Sequence, residues 1–401
     1  MSRHDTLEIH AFQVLMRILI MFLAVSVVCS AQSALCSEII RIGAIMPPEE
    51  PLISMQSHMI AGLKDCAVLS NLRGGINGKK VEVVVESSAF GVHASVEALD
   101  RLMDTFNPSA ILGNSSALGV TRAERIAYKY HTLFTSATFS KVLAAPRERP
   151  SLFVAGPTYE DQFEMLLRYL AEQAPKSKVA FFVSDDSTGK EPLEHARRVC
   201  KALELELAAE ITVNMKKADV SAEIIRLASA APDTVIFHGF VTSPIPHVVK
   251  SLRDLGLSCR YMGTYLSSTN ALAQELRPIG IEYFAINPYC YWWMRDVPML
   301  DSIRTFTTKN YPDVEYRPTF YFQSFVSGLI FLDAILKADT AGRLNYEGLT
   351  EALQSIDGMS TRGLTAPLTI RNNRFPTARI WKTGPDNGEF VPITDWITIG
   401  E

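Results

Sequence analysis

The chain has 401 residues, with 39 Lys+Arg against 43 Asp+Glu. That length exceeds one compact core and fits two lobes, and the near-neutral balance excludes a broad electrostatic pull toward nucleic acid or an anionic membrane surface. A hydrophobic content of 47% excludes a disordered chain.

At the N-terminus, Met16 and Arg17 precede an apolar run, Ile18 to Val28, and then small and polar residues, Cys29 to Ala34. A basic start, a short apolar stretch and a small-residue site predict a secretory signal peptide over residues 1–37. The run is too short to span a bilayer, which needs roughly 20 residues. Residues 1–15 are polar and mixed, which puts the expected start at Met16, with cleavage expected at Ala34. Cys36 follows Leu35 rather than a small residue, so lipid anchoring there is not expected.

From Ile39 onward, short β-rich runs alternate with longer amphipathic stretches. Ile39–Met46 reads as a buried strand and Met55–Asn71 as a helix. Residues Gly74 to Gly78 predict a turn, because Gly-Gly and Asn-Gly both favour positive φ. Val81–Glu86 is the next predicted strand. The rhythm continues through Ala110–Gly113, Thr132–Ser136, Lys178–Ser184, Ala208–Val213, Thr234–Phe237 and Arg260–Gly263. A helical pattern follows each, which predicts an α/β chain with parallel sheets covered by helices on both faces.

Between the predicted strands at 132 and 178, Thr158 is placed to cap a helix, with Asp161 at its third position. Tyr159, Phe163, Leu166, Leu167 and Leu170 then share one face, and Glu160, Glu164 and Arg168 take the other. Thr319–Leu336 is more apolar, but Gln323, Ser324, Ser327, Gly328 and Asp333 interrupt it, and Pro318 suits a helix start. It reads as a buried core helix rather than a membrane span.

Cys66, Cys200, Cys259 and Cys290 show no CxxC spacing and no nearby His pair, so neither a metal nor a cofactor is expected. Export permits disulfides, and a Cys200–Cys259 pairing stays open. No Gly-x-Ser-x-Gly elbow, His-Glu-x-x-His helix or phosphate-binding Gly-Lys loop occurs. The histidines are scattered, and His238, after a strand, reads either as a hydrogen-bonded structural residue or as a group approaching a cleft. The reading is therefore not an enzyme.

Several segments, in order, carry a resemblance: IRIGAIMP from Ile40, GGINGKKVEVVVE from Gly74, AILGNSS from Ala110, KVAFFVS from Lys178 and SLRDLG from Ser251. Together they resemble the leucine/isoleucine/valine-binding type of periplasmic substrate-binding protein of ABC transporters, over nearly all of residues 39–395. The resemblance implies the type I periplasmic-binding-protein fold, two doubly wound parallel-sheet lobes joined by three crossovers near Gly156, Asn287 and Thr377. Lobe one would hold 39–156 and 288–377, and lobe two 157–287 and 378–401. It also implies an exported, monomeric, periplasmic protein that closes around an amino acid or a small aromatic or aliphatic carboxylate and delivers it to an ABC permease. The alternative is a ligand-sensing module for a membrane receptor or kinase.

Ligands of open parallel sheets sit beyond the carboxyl ends of the strands. The loop Gly113–Ala117 is such a place, where backbone N–H groups and the hydroxyls of Ser115 and Ser116 suit either a ligand carboxylate or simple N-capping. The resemblance implies the carboxylate role. It likewise implies ligand contacts at Ser136, Ala137 and Thr138, and on lobe two at Thr188 and Thr242, where aromatic residues are common in the family. Tyr265 stands where amino-acid binders of this type usually carry an acidic residue. Its phenol, with an ordinary pKa of about 10, supplies no negative charge at neutral pH. Either Asp185 or Asp186 is a candidate to compensate. Tyr289 to Trp293 (YCYWW) offers aromatics for stacking on a ligand or for packing between lobes, and Met55 and Gln56 are weaker candidates.

Overall fold

The computed structural model describes residues 39–47, 52–89, 91–113, 129, 131–144, 150–214, 219–384 and 388–400. Residues 1–38, with the signal-peptide reading and Cys36, lie outside that set. So do Ser115 and Ser116.

Two separate sheets organise the chain. In the first, β1 (Ile39–Met46), β2 (Lys80–Ser87), β3 (Ala110–Leu112) and β4 (Leu133–Thr135) run parallel in the order β2-β1-β3-β4. In the second, β5 (Lys178–Ser184), β6 (Glu206–Val213), β7 (Thr234–His238), β8 (Arg260–Gly263) and β9 (Tyr283–Asn287) run parallel in the order β6-β5-β7-β8-β9. Beyond β9 the chain returns as antiparallel β10 (Thr377–Thr383), on which β11 (Phe390–Pro392) and β12 (Ile397–Thr398) pair. Nothing in the sequence reading anticipated this antiparallel edge. Each sheet turns outward after its first strand and comes back on the other side. Each therefore has a topological switch point, between β1 and β3 in one and between β5 and β7 in the other.

The interior of β5, VAFFV from Val179 to Val183, is apolar throughout because both faces of its sheet are covered. Val179, Phe181 and Val183 belong to one core cluster and Ala180 and Phe182 to another, as the period of two requires. Cys200 packs on one of these faces and Cys259 on the other, so the sheet lies between them and both thiols are free. In the first lobe the helices Leu52–Asn71 and Thr319–Thr340 lie against each other; most of the apolar window of the second is buried inside the protein, as a core helix requires.

Local expectations are met where a few neighbouring residues determine them. The turn at 74–78 has φ of +103° at Gly74, +49° at Asn77 and +82° at Gly78, and Ile76 bridges Lys79. Thr158 caps Tyr159–Gln173 through a reciprocal box, its Oγ1 accepting the Asp161 N–H and its own N–H reaching Asp161 Oδ2. The three segments linking the sheets run side by side. The Val154 N–H donates to the Asn373 carbonyl at 2.8 Å, and Tyr289 Oη donates to the Ala155 carbonyl at 2.6 Å.

Candidate functional site

At the first switch point, Gln56 Nε2 donates to the carbonyls of Ile45 at 3.0 Å and Gly113 at 3.2 Å, tying together the ends of β1 and β3. The residues after β4 form a buried, internally bonded turn. Ser136 Oγ accepts the Thr138 N–H at 3.4 Å, and the Ala137 carbonyl takes Gln323 Nε2 at 3.0 Å. Thr138 Oγ1 donates to Tyr159 Oη and accepts the Ser140 N–H, each at 3.2 Å.

The second switch point is built around His238, which is fully buried. Its Nε2 lies 2.9 Å from the Thr188 carbonyl, and its Nδ1 lies 2.7 Å from Thr264 Oγ1. A carbonyl only accepts, so Nε2 carries the proton and Nδ1 accepts the threonine hydroxyl. The rings of Tyr159 and Phe163 stand edge-on at 4.8 and 5.3 Å. Burial pushes the imidazole pKa down to about 4, so the ring is neutral at pH 7. Both nitrogens are satisfied, which makes His238 a structural group rather than a cleft residue. Gly239 follows with φ of +83°, and a Cβ there would meet Ser184 Oγ at 2.1 Å, so only glycine turns the chain here.

The two aspartates considered as ammonium partners are both engaged. Asp186 caps the short helix Ser187–Lys190, accepting the Gly189 N–H at 2.8 Å and the Ser184 hydroxyl at 3.1 Å. Asp185 pairs with Lys190. Thr188 is buried beside them, its carbonyl held by His238.

Tyr265 is fully buried and reaches across between the sheets. Its N–H donates to Gln162 Oε1 at 3.0 Å. Its ring meets Phe139, Tyr289 and Phe320 edge to face at 4.7, 5.8 and 5.8 Å. Burial raises its phenol pKa well above the ordinary value, so it stays uncharged. The neighbouring Trp pair packs: Trp293 stacks on Tyr291 at 5.1 Å and donates its indole N–H to the Phe390 carbonyl, while Arg304 sits over Trp292.

Beside this aromatic wall opens a cavity of about 570 Å³. The first lobe contributes Met55 and His58 from the helix Leu52–Asn71, and Thr319 and Phe320 from the helix Thr319–Thr340. The second contributes Phe240, Thr242, Leu266 and Asn270. The size and largely apolar lining are those of a small-molecule site. Thr242, half-buried with its hydroxyl donating to the Leu266 carbonyl at 3.3 Å, is the one residue of the expected described set that lines it. Thr138 and Tyr265 stand behind it in the Phe139–Tyr159 cluster, and Thr188 behind His238. Met55 was a weak candidate and does line it. Phe240, Leu266, Asn270, His58 and Phe320 were missed. Phe240 was legible, since it lies two residues beyond β7 at the second switch point. Burial and the nearby Arg317 charge hold the His58 pKa below its ordinary value. Among the described residues, no group of three or more His, Cys, Asp or Glu is placed to hold a metal ion.

Residues 39–383 match a family described as periplasmic binding protein. The Leu/Ile/Val-binding protein homolog 7 of Brucella abortus is 23% identical over 214 residues, 51% of this chain and 53% of that protein. The match thus spans about half the length of that curated relative. A branched chain amino acid ABC transporter protein from Thermus thermophilus with bound valine superposes with a TM-score of 0.80 at 18% identity, covering 90% of this chain and 97% of the other. A fatty acid ABC transporter substrate-binding protein from Thermomonospora curvata does so at 0.74 and 17% identity, covering 90% and 93%. At these identities the superpositions show a shared fold.

Proposed function

The chain belongs to the periplasmic binding protein family, and on that footing we propose that it is the exported solute-binding component of an ABC transporter. It takes an amino acid or a small aromatic or aliphatic carboxylate between two lobes, 39–156 with 288–377 and 157–287 with 378–401, and presents it to a membrane permease. It acts as a monomer, catalyses nothing, and is released from its signal peptide without lipid on Cys36. The ligand carboxylate docks on the loop bearing Ser115 and Ser116. Ser136, Ala137 and Thr138 shape that side, and Thr188, Thr242 and Tyr265 close from the other by hinge motion.

The observation that carries this reading is the cavity itself, walled on one side by helix starts of the first lobe and on the other by loops after β7 and β8. A site shared by two bodies couples binding to closure, because contacts to the second lobe form only when the lobes approach. The three adjacent linking segments suit a hinge. The relatives' names, which speak of leucine, isoleucine, valine and fatty acids, support the ligand class.

The test is a thermal-shift panel of L-amino acids and of aliphatic and aromatic carboxylic acids on the mature chain, followed by small-angle scattering with the best stabiliser. A ligand at a hundredfold excess over Kd adds about 2.7 kcal/mol of stability and should reduce the radius of gyration. Failure of both classes to stabilise, or a tightly bound solute with unchanged scattering, overturns the proposal.

A further inference from the structure

On the two-lobe reading proposed above, on which this step rests, one side chain belongs to the second lobe by chain position and to the first by packing. We infer that Tyr265 is a peg: its ring, carried by the second lobe, seats in the core of the first, and the lobes close on it. It is a positioning residue, which sets the separation of the two walls of the cavity.

The first support is where the ring is buried. Tyr261 and Met262 of β8 pack into the two core clusters that flank the second sheet. Tyr265 and Leu266, just beyond the strand, instead join the cluster built on the first sheet. The rings that meet Tyr265 edge to face, Phe139, Tyr289 and Phe320, all fall within 39–156 or 288–377. These contacts are protein on protein, so seating the ring needs no solute.

The second support is that both the base of the peg and its seat are fixed. Tyr265 opens the short turn Tyr265–Ser267, which the Thr264 N–H ties to the Phe237 carbonyl of β7 at 3.1 Å. The Ser268 hydroxyl donates to the Tyr265 carbonyl at 2.7 Å. Gln162, which accepts the Tyr265 N–H, donates its Nε2 to the Pro157 carbonyl at 2.9 Å, beside the first crossing. On the other side, a Cβ at Gly156 would meet Phe139 Cε1 at 2.3 Å, so Phe139 is wedged against the first linking segment. Tyr289 is held there by its bond to the Ala155 carbonyl. With base and seat both held, the ring leaves when the lobes part.

The third support is that the seat adjoins the cavity. Phe320 touches the Tyr265 ring and lines the cavity from the first lobe, while Leu266, the next residue, lines it from the second. A chain with the ring seated already has both walls in place, and solute affinity falls with the fraction of chains in which it is not. The phenol hydroxyl lies toward Thr319 but outside hydrogen-bond geometry, so the ring rather than its polar tip makes the interlock.

The experiment removes the ring and returns it in solution. Small-angle scattering on the mature chain at pH 7 compares wild type, Tyr265→Ala and Tyr265→Phe, each with and without p-cresol, the free equivalent of the side chain. The expected result is a larger radius of gyration for Tyr265→Ala, its return to the wild-type value with p-cresol, and wild-type dimensions for Tyr265→Phe. By isothermal calorimetry, Tyr265→Ala should bind p-cresol about tenfold or more tightly than wild type, whose seat is filled. Phe320→Ala opens the seat from the first lobe and should expand the chain likewise; it serves as the test if Tyr265→Ala fails to fold. Wild-type dimensions for these alanine variants, or an expansion of Tyr265→Ala that p-cresol leaves in place, overturns the inference. The transporter reading stands in that case if a solute from the panel still contracts the wild type; dimensions that no solute and no variant alters overturn both.

Discussion

In the first lobe Asp65 and Arg317 are buried together as an ion pair, whereas in the second His238 is buried as a neutral ring. Asp65 accepts from Arg317, Tyr321 and Tyr311, and Arg317 lies over both tyrosine rings at 4.7 and 5.0 Å. Burial nonetheless raises the Asp65 pKa, so desolvation outweighs the attraction of its partner. The pair fixes the helix Leu52–Asn71 to the start of Thr319–Thr340, the two elements whose first turns wall the cavity. His238 performs a similar task for the β7 and β8 ends with hydrogen bonds alone. One lobe holds its half of the cavity with charge, which is costly to break; the other uses a group that is costly only in acid.

Breaking the pair should give the largest effect. Asp65→Ala leaves Arg317 charged and unpaired, and urea unfolding should show a loss of about 3–5 kcal/mol. Replacing both partners, Asp65→Leu with Arg317→Met, should recover most of that loss. A double variant as unstable as the single one would mean the pair stabilises by more than geometry.

Acid should break the other half. The folded-state pKa of His238 is depressed from 6.5 to about 4, so the unfolded chain takes up the proton first. The stability it contributes is complete above pH 6.5 and is lost as pH falls toward 4, on the order of 3 kcal/mol over that window. In denaturation series across this range, His238→Gln should lack that part of the decline. Parallel pH profiles for variant and wild type would show that the ring is not the group responsible.

A smaller effect probes the ring's surroundings. Thr158→Ala removes the cap of the helix that carries Tyr159 and Phe163 onto His238. It should cost about 1 kcal/mol and raise the His238 pKa slightly, readable by NMR titration, as the shell loosens. A loss of stability without movement of that pKa would place the cap's influence elsewhere.

Much of the frame was legible because its causes are local. The Thr158–Asp161 box, the positive-φ turn at 74–78 and the doubly buried KVAFFVS strand each rest on a few neighbouring residues and one periodicity. The order of such segments also carried the family, which residues 39–383 match. The cavity wall was less legible. The packing around Tyr265 is an example: its ring meets Phe139, Tyr289 and Phe320, which are far away in sequence. Asp186 turns out to cap the helix Ser187–Lys190, while Asp185 is exposed and pairs with Lys190 at the surface.

By itself, then, the sequence determined the alternation of strands and helices, the turns and caps, and the family, since period-two burial, 3.6-residue faces and glycine's φ freedom act within a few residues. Only the tertiary structure decided the antiparallel return of β10 onto β9, the opposite faces taken by Cys200 and Cys259, and the lack of charge among the described residues of the cavity wall. Those depend on which distant side chain reaches a buried polar group first, and an unpaired charge in the interior costs too much for that choice to stay open.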